Sequence, residues 1–410
     1  MRSIFALLLL YLLTCNCQVS ASNIKSYSIS GKDGKTTFPF RLFNNILVVD
    51  VAIDGKDSMK FIFDSGCKST IIIHPKWLDS FNVNYNKKIF FAGLGYKDSI
   101  ETYRIDGASL SLGNMKGEHV PVYILSRDSM NIDTYLGIEI DGIFGAEIFE
   151  KFYVHINYKT HQIELYNKKP EKKINRHYTR LPVSIYKSKG YLNSMILNKS
   201  TQLFSAELLL DTGANVAVII KNKEPEDLKV QPYIEAELGE GLSGTMYSKI
   251  GRLSNLFIDT FHIKNTIVSF QETPITIKES NEDALNGNIG NEILYRFDIF
   301  YAYPEKAIYL KPGKHYNDPY YFNVSNIILL ENRSRNGGYL VKSIASQSPP
   351  LIAGLQKGDE IIRIDGYDCN KIPLEDALLL LNKRMGKKIS VTFIRNHVKQ
   401  KITYKLESII

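Results

Sequence analysis

The sequence predicts a mainly β protein made of two homologous β lobes, followed by a small α+β domain. The first observation is that an apolar strand runs into Asp-(Ser/Thr)-Gly twice, at Asp64 and again at Asp211. The second is that a glycine-centred segment recurs about eighty residues after each aspartate. The third is a separate Gly-Asp-containing pattern near the C-terminus, at residues 357–366. Internal repetition of this kind indicates a duplicated structural unit.

Each aspartate follows a predicted β-hairpin. The predicted strand pairs are residues 46–53 with 59–63 in the first lobe and residues 191–197 with 203–210 in the second. The turn between the first pair contains Asp54-Gly55, a strong hairpin signal, because both residue types tolerate the positive φ that tight turns require. The second turn begins at Asn198. The same strand-turn-strand unit is therefore expected in both lobes.

The segment downstream of each hairpin supports the duplication. When Gly145 is aligned with Gly290, residues 141–166 and 286–311 share eight identities in 26 positions. Ordinary composition would give about one or two. The two lobes are therefore expected to span residues 23–170 and 178–315.

Each lobe also carries a glycine-rich hairpin about thirty residues after its aspartate. Glycine permits positive φ and a close approach of the backbone to a ligand, so the two tips are candidate flaps over a binding cleft. The alternative is that they are plain surface hairpins. The candidate flap and substrate-binding residues are Gly93, Gly95 and Tyr96 in the first lobe and Gly241 and Gly244 in the second.

These motifs resemble those of the pepsin-like and retroviral aspartic proteases. The resemblance rests on Asp64-Ser65-Gly66 and Asp211-Thr212-Gly213, each with a downstream motif, Ile143-Phe144-Gly145 or Asn288-Ile289-Gly290. It covers both lobes and implies a bilobal, pepsin/retropepsin-like acid-protease fold. It also implies endopeptidase activity on polypeptide substrates, with Asp64 and Asp211 as the catalytic residues, no metal and no cofactor. Tyr96 resembles the flap tyrosine of pepsin-like enzymes by its location alone.

The chemistry of peptide hydrolysis explains the need for two carboxyl groups. A water molecule must be activated while the carbonyl oxygen and the leaving nitrogen receive protons, and two carboxyls that share one proton can act as acid and base together. Like charges about 3 Å apart cannot both ionise, which is the established behaviour of aspartic-protease pairs. Ser65 and Thr212 are expected to form hydrogen bonds across the lobe interface, and Gly66 and Gly213 to admit backbone N–H groups to the carboxylates.

Other chemistries find little support in the sequence. Residues 239–244 fit G-x-G-x-x-G, but they lie in a hairpin pattern and lack the strand-to-helix context of a dinucleotide site. No H-E-x-x-H or G-x-S-x-G motif occurs.

Cys67 stands where Ser or Ala is more usual in the resemblance. It is either a small buried residue or a redox-sensitive thiol beside the site.

Residues 322–410 resemble a PDZ domain of the kind attached to bacterial exported proteases. The strongest signature is residues 357–366, and residues 374–381 supply a helix. The resemblance implies a module that accepts an extended peptide, or a peptide C-terminus, along an open strand edge. It places the peptide-binding residues at Gly338, Tyr339, Leu340 and Val341. The alternative is a module that packs on the lobes without a peptide ligand. The polar, Tyr-rich stretch at residues 314–321 is expected to be a linker.

Residues 1–21 are predicted to be an export signal. Arg2 precedes an apolar run from Ile4 to Leu13, and small residues up to Ala21 offer a cleavage site. The mature protein is therefore expected to be periplasmic or secreted. A lipid anchor at Cys15 is the minority alternative, and membrane association is expected only in that case. Beyond the signal only Cys67 and Cys369 remain, in different domains, so no disulfide is expected.

Composition limits the classes of partner. The 410 residues carry a net charge of +8 that is spread in short Lys runs, without the basic stripe and interleaved aromatic residues of a nucleic-acid site. No nucleic-acid partner is therefore expected. The alternative function, from another class, is a peptide-binding scaffold whose lobes have lost activity. The presence of both aspartates favours the enzyme.

Overall fold

The computed structural model describes residues 26–31, 33–81, 83–91, 100–128, 132–241, 244–271, 285–320, 325–332, 338–345, 348–381 and 385–408. The predicted fold class is confirmed: two β lobes are followed by a small α+β region. Among the described residues, no helix combines the length and the apolar composition that crossing a bilayer requires. The signal at residues 1–21 and Cys15 lie outside the described residues.

The N-terminal lobe contains twelve strands and two short helices in the described ranges. They are β1 (Ser26–Ile29), β2 (Lys35–Pro39), β3 (Arg41–Phe43), β4 (Ile46–Ile53), β5 (Lys56–Phe63), β6 (Thr70–Ile72), β7 (Val83–Phe91), β8 (Ile100–Leu112), β9 (Met115–Leu125), α1 (Ile132–Leu136), β10 (Gly142–Phe144), α2 (Glu147–Lys151), β11 (Tyr153–Asn157) and β12 (Gln162–Tyr166). A 3₁₀ helix spans Pro75–Ser80.

The C-terminal lobe contains eleven strands and one short helix in the described ranges. Its elements are β13 (Thr179–Pro182), β14 (Ser184–Tyr186), β15 (Lys189–Leu197), β16 (Leu203–Asp211), β17 (Val218–Lys221), β18 (Ile234–Gly241), β19 (Gly244–Ile258), β20 (Phe261–Gln271), β21 (Leu285–Gly290), α3 (Asn291–Leu294), β22 (Phe297–Ala302) and β23 (Ala307–Pro312). A 3₁₀ helix spans Tyr303–Glu305.

Local chemistry explains the hairpins that deliver the two aspartates. At the β4–β5 turn, Asp54 and Gly55 both have positive φ, 47° and 77°, as a tight two-residue hairpin requires. At the β15–β16 turn, the Asn198 side chain accepts hydrogen bonds from the backbone N–H groups of Ser200 and Gln202, both at 2.9 Å. Strand β15 alternates buried and more exposed residues, which is typical of a strand with one face on the core.

The pairing around the aspartates is the same in both lobes. β10 runs parallel to β5 and antiparallel to β6, and β21 runs parallel to β16 and antiparallel to β17. β6 and β17 in turn pair in parallel with β9 and β20. In the N-terminal lobe, β10 therefore lies between the strand that leads to the aspartate and the strand that follows it. β21 has the same place in the C-terminal lobe.

A six-stranded sheet joins the lobes, in the order β13-β23-β22-β11-β12-β2. Its central pairing, β11 with β22, brings one strand from each lobe together. A single buried hydrophobic cluster extends through both lobes, so they form one folded body rather than two independent domains.

The C-terminal region has a separate hydrophobic core. Its elements are β24 (Ile327–Glu331), β25 (Tyr339–Ile344), α4 (Pro349–Ile352), β26 (Glu360–Ile364), β27 (Tyr367–Asp368), α5 (Leu374–Leu381), β28 (Lys388–Arg395) and β29 (Val398–Lys405). The sheet order is β24-β25-β26-β28-β29, and β27 pairs with β26. The helix predicted at residues 374–381 is present as α5.

The stretch predicted to be a linker, residues 314–321, is packed on the C-terminal lobe in its described part. The buried Arg296 side chain donates to the carbonyl oxygens of His315, Asp318 and Pro319. Its guanidinium also lies 3.7 Å from the centre of the Tyr320 ring. The linker prediction is therefore wrong for residues 315–320, because one buried cation holds the polar backbone of this stretch.

Candidate active site

The two loops that carry Asp64 and Asp211 meet at the interface between the lobes. Each aspartate comes at the end of a buried central strand, β5 or β16. The Asp64 N–H donates to the carbonyl oxygen of Phe144 at 3.0 Å, and Asp211 is in register with Gly290 on β21. The downstream glycine motif of each lobe thus lies directly beside the aspartate loop.

The glycines of these motifs allow the backbones to pass closely. A Cβ atom on Gly145 would lie 2.5 Å from the backbone carbon of Ser69, and one on Gly290 would collide with the carbonyl oxygen of Val216. Real Cβ atoms do not approach backbone atoms so closely, so a side chain at either position would displace an aspartate loop. This packing explains why both motifs place glycine at this point.

Ser65 and Thr212 connect the two loops through reciprocal hydrogen bonds. The Ser65 N–H donates to Thr212 Oγ1 at 2.9 Å, and the Thr212 N–H donates to Ser65 Oγ at 3.0 Å. Each hydroxyl also donates across the interface, from Ser65 Oγ to the Leu210 carbonyl and from Thr212 Oγ1 to the Phe63 carbonyl, both at 2.7 Å. Both side chains are fully buried. Because these four bonds lie in a buried interface, they fix the relative position of the two aspartates.

Gly66 and Gly213 each lie against the carboxyl group of the opposite lobe. A Cβ atom on Gly66 would be 2.6 Å from Asp211 Oδ1, and one on Gly213 would overlap the Asp64 carboxyl. The backbone N–H groups of Gly66 and Cys67 donate to Asp64 Oδ1 at 2.6 and 3.1 Å. The Gly213 N–H donates to Asp211 Oδ1 at 3.0 Å.

The two carboxyl groups interact with each other across the lobe interface. Burial and the charge of Asp211 raise the pKa of Asp64, and the N–H donors of its own loop oppose this rise. Burial also raises the pKa of Asp211, against the opposing hydrogen bonds from Asn288 and Gly213. Two carboxyls that interact in this way retain a proton at pH values where an isolated carboxyl would be ionised, so the pair can serve as acid and base at once.

Asn288 is a site residue that the glycine motif alone does not predict. Its side-chain Nδ2 donates to Asp211 Oδ2 at 2.5 Å, and its side chain is buried. The corresponding position in the first lobe is Ile143, because both residues lie two places before the motif glycine. When the two lobes are aligned, the polar Asn288 occupies the position of the apolar Ile143, and this difference is the sequence signal for its role.

Cys67 lies next to the pair as a protonated thiol. Burial, followed by the negative charge of Asp64, raises the pKa of the Cys67 thiol well above its ordinary value. Its Sγ donates to the carbonyl oxygen of Ser69 at 3.3 Å, and its side chain packs against a hydrophobic cluster of the N-terminal lobe. These contacts agree with the small packed residue rather than with a reactive thiolate.

The two candidate flaps are described to different extents. In the second lobe, β18 and β19 form a long hairpin in which Gly241 pairs with Gly244 beside the turn. In the first lobe, Phe91 pairs with Ile100 at the end of the β7–β8 hairpin, and Gly93, Gly95 and Tyr96 lie outside the described residues. The role of both tips as flaps over the pair stays a prediction.

The strand predicted to bind peptides in the C-terminal region is not an open edge. Gly338 precedes β25, and Tyr339, Leu340 and Val341 pair with β24 on one side. On the other side, Tyr339 and Leu340 pair with β26, while the Val341 N–H donates to the backbone carbonyl oxygen of Asp359. This corrects the prediction: both edges of β25 are occupied here, so a peptide strand cannot pair with β25.

The N-terminal lobe lies against this region near its edge strand. Helix α1 contacts β24, and Gly137 lies so close to the first residue of α5 that a Cβ atom there would be 2.8 Å from Leu374 Cβ.

Within the described part of the chain, no group of His, Cys, Asp and Glu side chains has an arrangement that could hold a metal ion.

Comparisons with known proteins match the N-terminal lobe and the C-terminal region to two different families. Residues 49–148 match the aspartyl protease family model, and residues 327–406 match the PDZ domain family model. No curated protein matches the chain in sequence. Among solved structures, the aspartic proteinase from Irpex lacteus is similar with a TM-score of 0.43 and 14% sequence identity, over 69% of this chain and 99% of that one. The chain is thus similar to aspartyl proteases in its N-terminal lobe and to PDZ domains in its C-terminal region.

Proposed function

We propose that this protein is an exported aspartic-type endopeptidase that hydrolyses peptide bonds with a water molecule activated between Asp64 and Asp211. The PDZ-like region would recruit polypeptide substrates or regulate the lobes. One observation carries the proposal: each lobe contributes one carboxyl to an interacting pair, and Ser65 and Thr212 fix that pair across the interface.

The reaction follows from a pair that holds one proton. One carboxylate accepts a proton from water as the water oxygen bonds to the peptide carbonyl carbon, and the protonated partner gives its proton to the carbonyl oxygen. A neutral gem-diol results. The first carboxyl then gives its proton to the amide nitrogen as the C–N bond breaks, and a gem-diol hydroxyl returns a proton to the second. The products are a carboxylic acid and an amine, and the pair regains its starting state.

The pH range of activity follows from the same pair. Burial and repulsion raise the pKa of Asp64, so one proton stays in the site above the usual carboxyl range. Activity is therefore expected from acidic to near-neutral pH. It should fall at low pH, where both carboxyls are protonated, and at high pH, where the shared proton is lost.

Export is supported by the sequence before residue 22. Arg2, the apolar run from Ile4 to Leu13 and the small residues ending at Ala21 have the order of a cleaved export signal. Mass spectrometry of the mature N-terminus tests this part of the proposal. A mature chain that begins at Met1 would contradict it.

Digestion of a peptide library by the mature protein, with products identified by mass spectrometry, tests the activity. Asp64→Asn and Asp211→Asn should each reduce cleavage by about 1,000-fold, since each removes a group that takes part in proton transfer. Asp50→Asn is the matched control, because Asp50 is an exposed aspartate of the same lobe that pairs with Arg41. It should cleave like the wild type. Equal residual cleavage by the wild type and both site variants would instead favour the inactive peptide-binding scaffold.

A further inference from the structure

The two halves of the carboxyl pair differ in one side chain. In the glycine motif of the second lobe, Asn288 donates to Asp211 Oδ2 at 2.5 Å. At the same place in the first lobe, Ile143 lies beside Ile62 on β5 and belongs to a hydrophobic cluster. The same place in the duplicated fold thus carries a polar side chain that contacts Asp211 in the second lobe and an apolar side chain in the first.

The hydrogen bonds to the two carboxyls differ accordingly. In the Asp64 loop, the backbone N–H groups of Gly66 and Cys67 both donate to Oδ1 of Asp64. Asp211 accepts from Gly213 on Oδ1 and from Asn288 on Oδ2, so both of its oxygens have a donor besides the partner carboxyl. A carboxyl oxygen that accepts a hydrogen bond is favoured in the ionised form, because a proton on that oxygen would compete with the donor.

The Asn288 amide has no other fixed role in the site. Its Oδ1 is buried and has no hydrogen-bond partner among the described residues. The bond from Nδ2 to Asp211 is therefore the polar contact that orients this side chain. The NH₂ end faces the carboxyl, which is the orientation that suits an acceptor-only carboxylate.

We propose that Asn288 is a positioning residue that keeps Asp211 ionised in the resting pair, so that Asp64 holds the shared proton. The inference rests on the proposed function and assigns the two roles within it. Asp211 accepts the proton of the attacking water as the O–C bond forms. Asp64 gives its proton to the carbonyl oxygen. Asp211 then gives its proton to the leaving nitrogen as the C–N bond breaks, and Asp64 regains one from the gem-diol.

The surrounding charges are compatible with this assignment. Among the described residues, the titratable or charged side chains that interact with Asp211 include Asp64, Cys67, Lys221, Tyr301 and Tyr303. Lys221 favours the ionised form of Asp211, and burial raises the pKa of Cys67 and of both tyrosines, which therefore stay neutral in the working range. In this set, Asp64 is the group that competes with Asp211 for the proton.

Two apolar variants test the proposal. Asn288→Leu keeps the branched shape of asparagine without its polar atoms, and Asn288→Ile copies the first lobe. Either should move the acidic limb of the kcat/KM profile up by about one pH unit, because a hydrogen bond to a charged group is lost. We expect kcat to fall while KM changes little, since Asn288 acts through Asp211. Ile289→Val on the same strand is the packing control and should leave the acidic limb in place.

The outcomes separate this inference from the proposed function. If both folded apolar variants keep the wild-type acidic limb, Asn288 does not set the proton position, although the protein is still a protease. If the wild type cleaves nothing, the proposed function itself fails. Thermal unfolding of each variant verifies the fold, and one folded apolar variant is enough for the comparison.

Discussion

At the scale of single residues, the two carboxyl groups occupy space that a Cβ atom would fill in any residue other than glycine. Gly66 and Gly213 each face the carboxyl of the opposite lobe, and no room remains for a methyl group. The spacing of the pair therefore depends on two residues without side chains as much as on the two aspartates.

A methyl group at Gly66 should separate the pair. In Gly66→Ala, the new Cβ atom would lie 2.6 Å from Asp211 Oδ1, so one carboxyl must move. A displacement of this size should lower kcat/KM by about 100-fold. The change is measured with a peptide found in the library digest. Lys68→Ala, in the same loop but with an exposed side chain, should keep normal activity. Wild-type cleavage by Gly66→Ala would show that the contact does not constrain the site.

The pair, its supporting residues and the glycine motifs could be predicted because short motifs encode them twice. Asn288 illustrates the limit of that approach. The motif gives the path of its backbone, but its contact with Asp211 depends on which face of β21 meets the aspartate loop. That information lies in the packing of two strands and not in either segment alone.

At the scale of elements, the sequence predicts hairpins well and distant pairings poorly. The predicted strands at residues 46–53 and 203–210 correspond closely to β4 and β16, because turn chemistry and alternation are local signals. The sheet that joins the lobes was not predicted. It pairs β12 with β2 and β11 with β22, and no local pattern records such distant partners.

A buried charge cluster holds this shared sheet together at β11. His155 Nδ1 lies 2.7 Å from Glu164 on β12, and its Nε2 lies 2.6 Å from Asp298 on β22 of the other lobe. Its ring is stacked on Phe300 at 4.0 Å. Burial opposes the charged form of His155, but the two carboxylates outweigh it and raise the pKa of His155. Hydrogen bonds that include those from His155 likewise outweigh burial and lower the pKa of Glu164 and Asp298.

Replacing this histidine should reduce stability in a pH-dependent way. His155→Gln should lower the free energy of unfolding by about 2 kcal/mol, since charge-assisted hydrogen bonds are lost. The raised pKa of His155 gives stability that is complete below its unfolded value, near pH 6.5, and is lost as the pH rises. The lowered pKa values of Glu164 and Asp298 contribute stability that is present above about pH 4 and is lost on acidification. The deficit should therefore be largest between these limits.

Urea unfolding of the wild type and His155→Gln at mildly acidic and at alkaline pH measures the deficit. His161→Gln is the control, since His161 is exposed in the turn before β12. Its unfolding should match the wild type at both pH values. A His155→Gln deficit that is the same at both pH values would show that the proton on His155 does not contribute.

At the scale of the whole molecule, two cores are joined by a packed connection. Arg296 fixes residues 315–320 to the C-terminal lobe, and α1 of the N-terminal lobe contacts β24 of the PDZ-like region. The N-terminal lobe and the PDZ-like region are thus neighbours, which the linear sequence does not indicate.

A methyl group at Gly137 should loosen this domain contact. In Gly137→Ala the Cβ atom would lie 2.8 Å from Leu374 Cβ, so the PDZ-like region must shift away. Gly55→Ala is the matched control, because Gly55 has a similar positive φ but open space around it. Hydrogen exchange in β24 should be faster in Gly137→Ala than in Gly55→Ala. Equal exchange in the two variants would mean that the contact is not maintained in solution.

The central claim is that two lobes place one proton and one water between Asp64 and Asp211. Neutron diffraction from crystals exchanged into D₂O at mildly acidic pH tests it most directly. We expect a single deuteron on the pair, bound to Asp64, and one water within hydrogen-bond distance of both carboxyls. Separately solvated carboxyls with no common water, or a deuteron on each, would contradict the account.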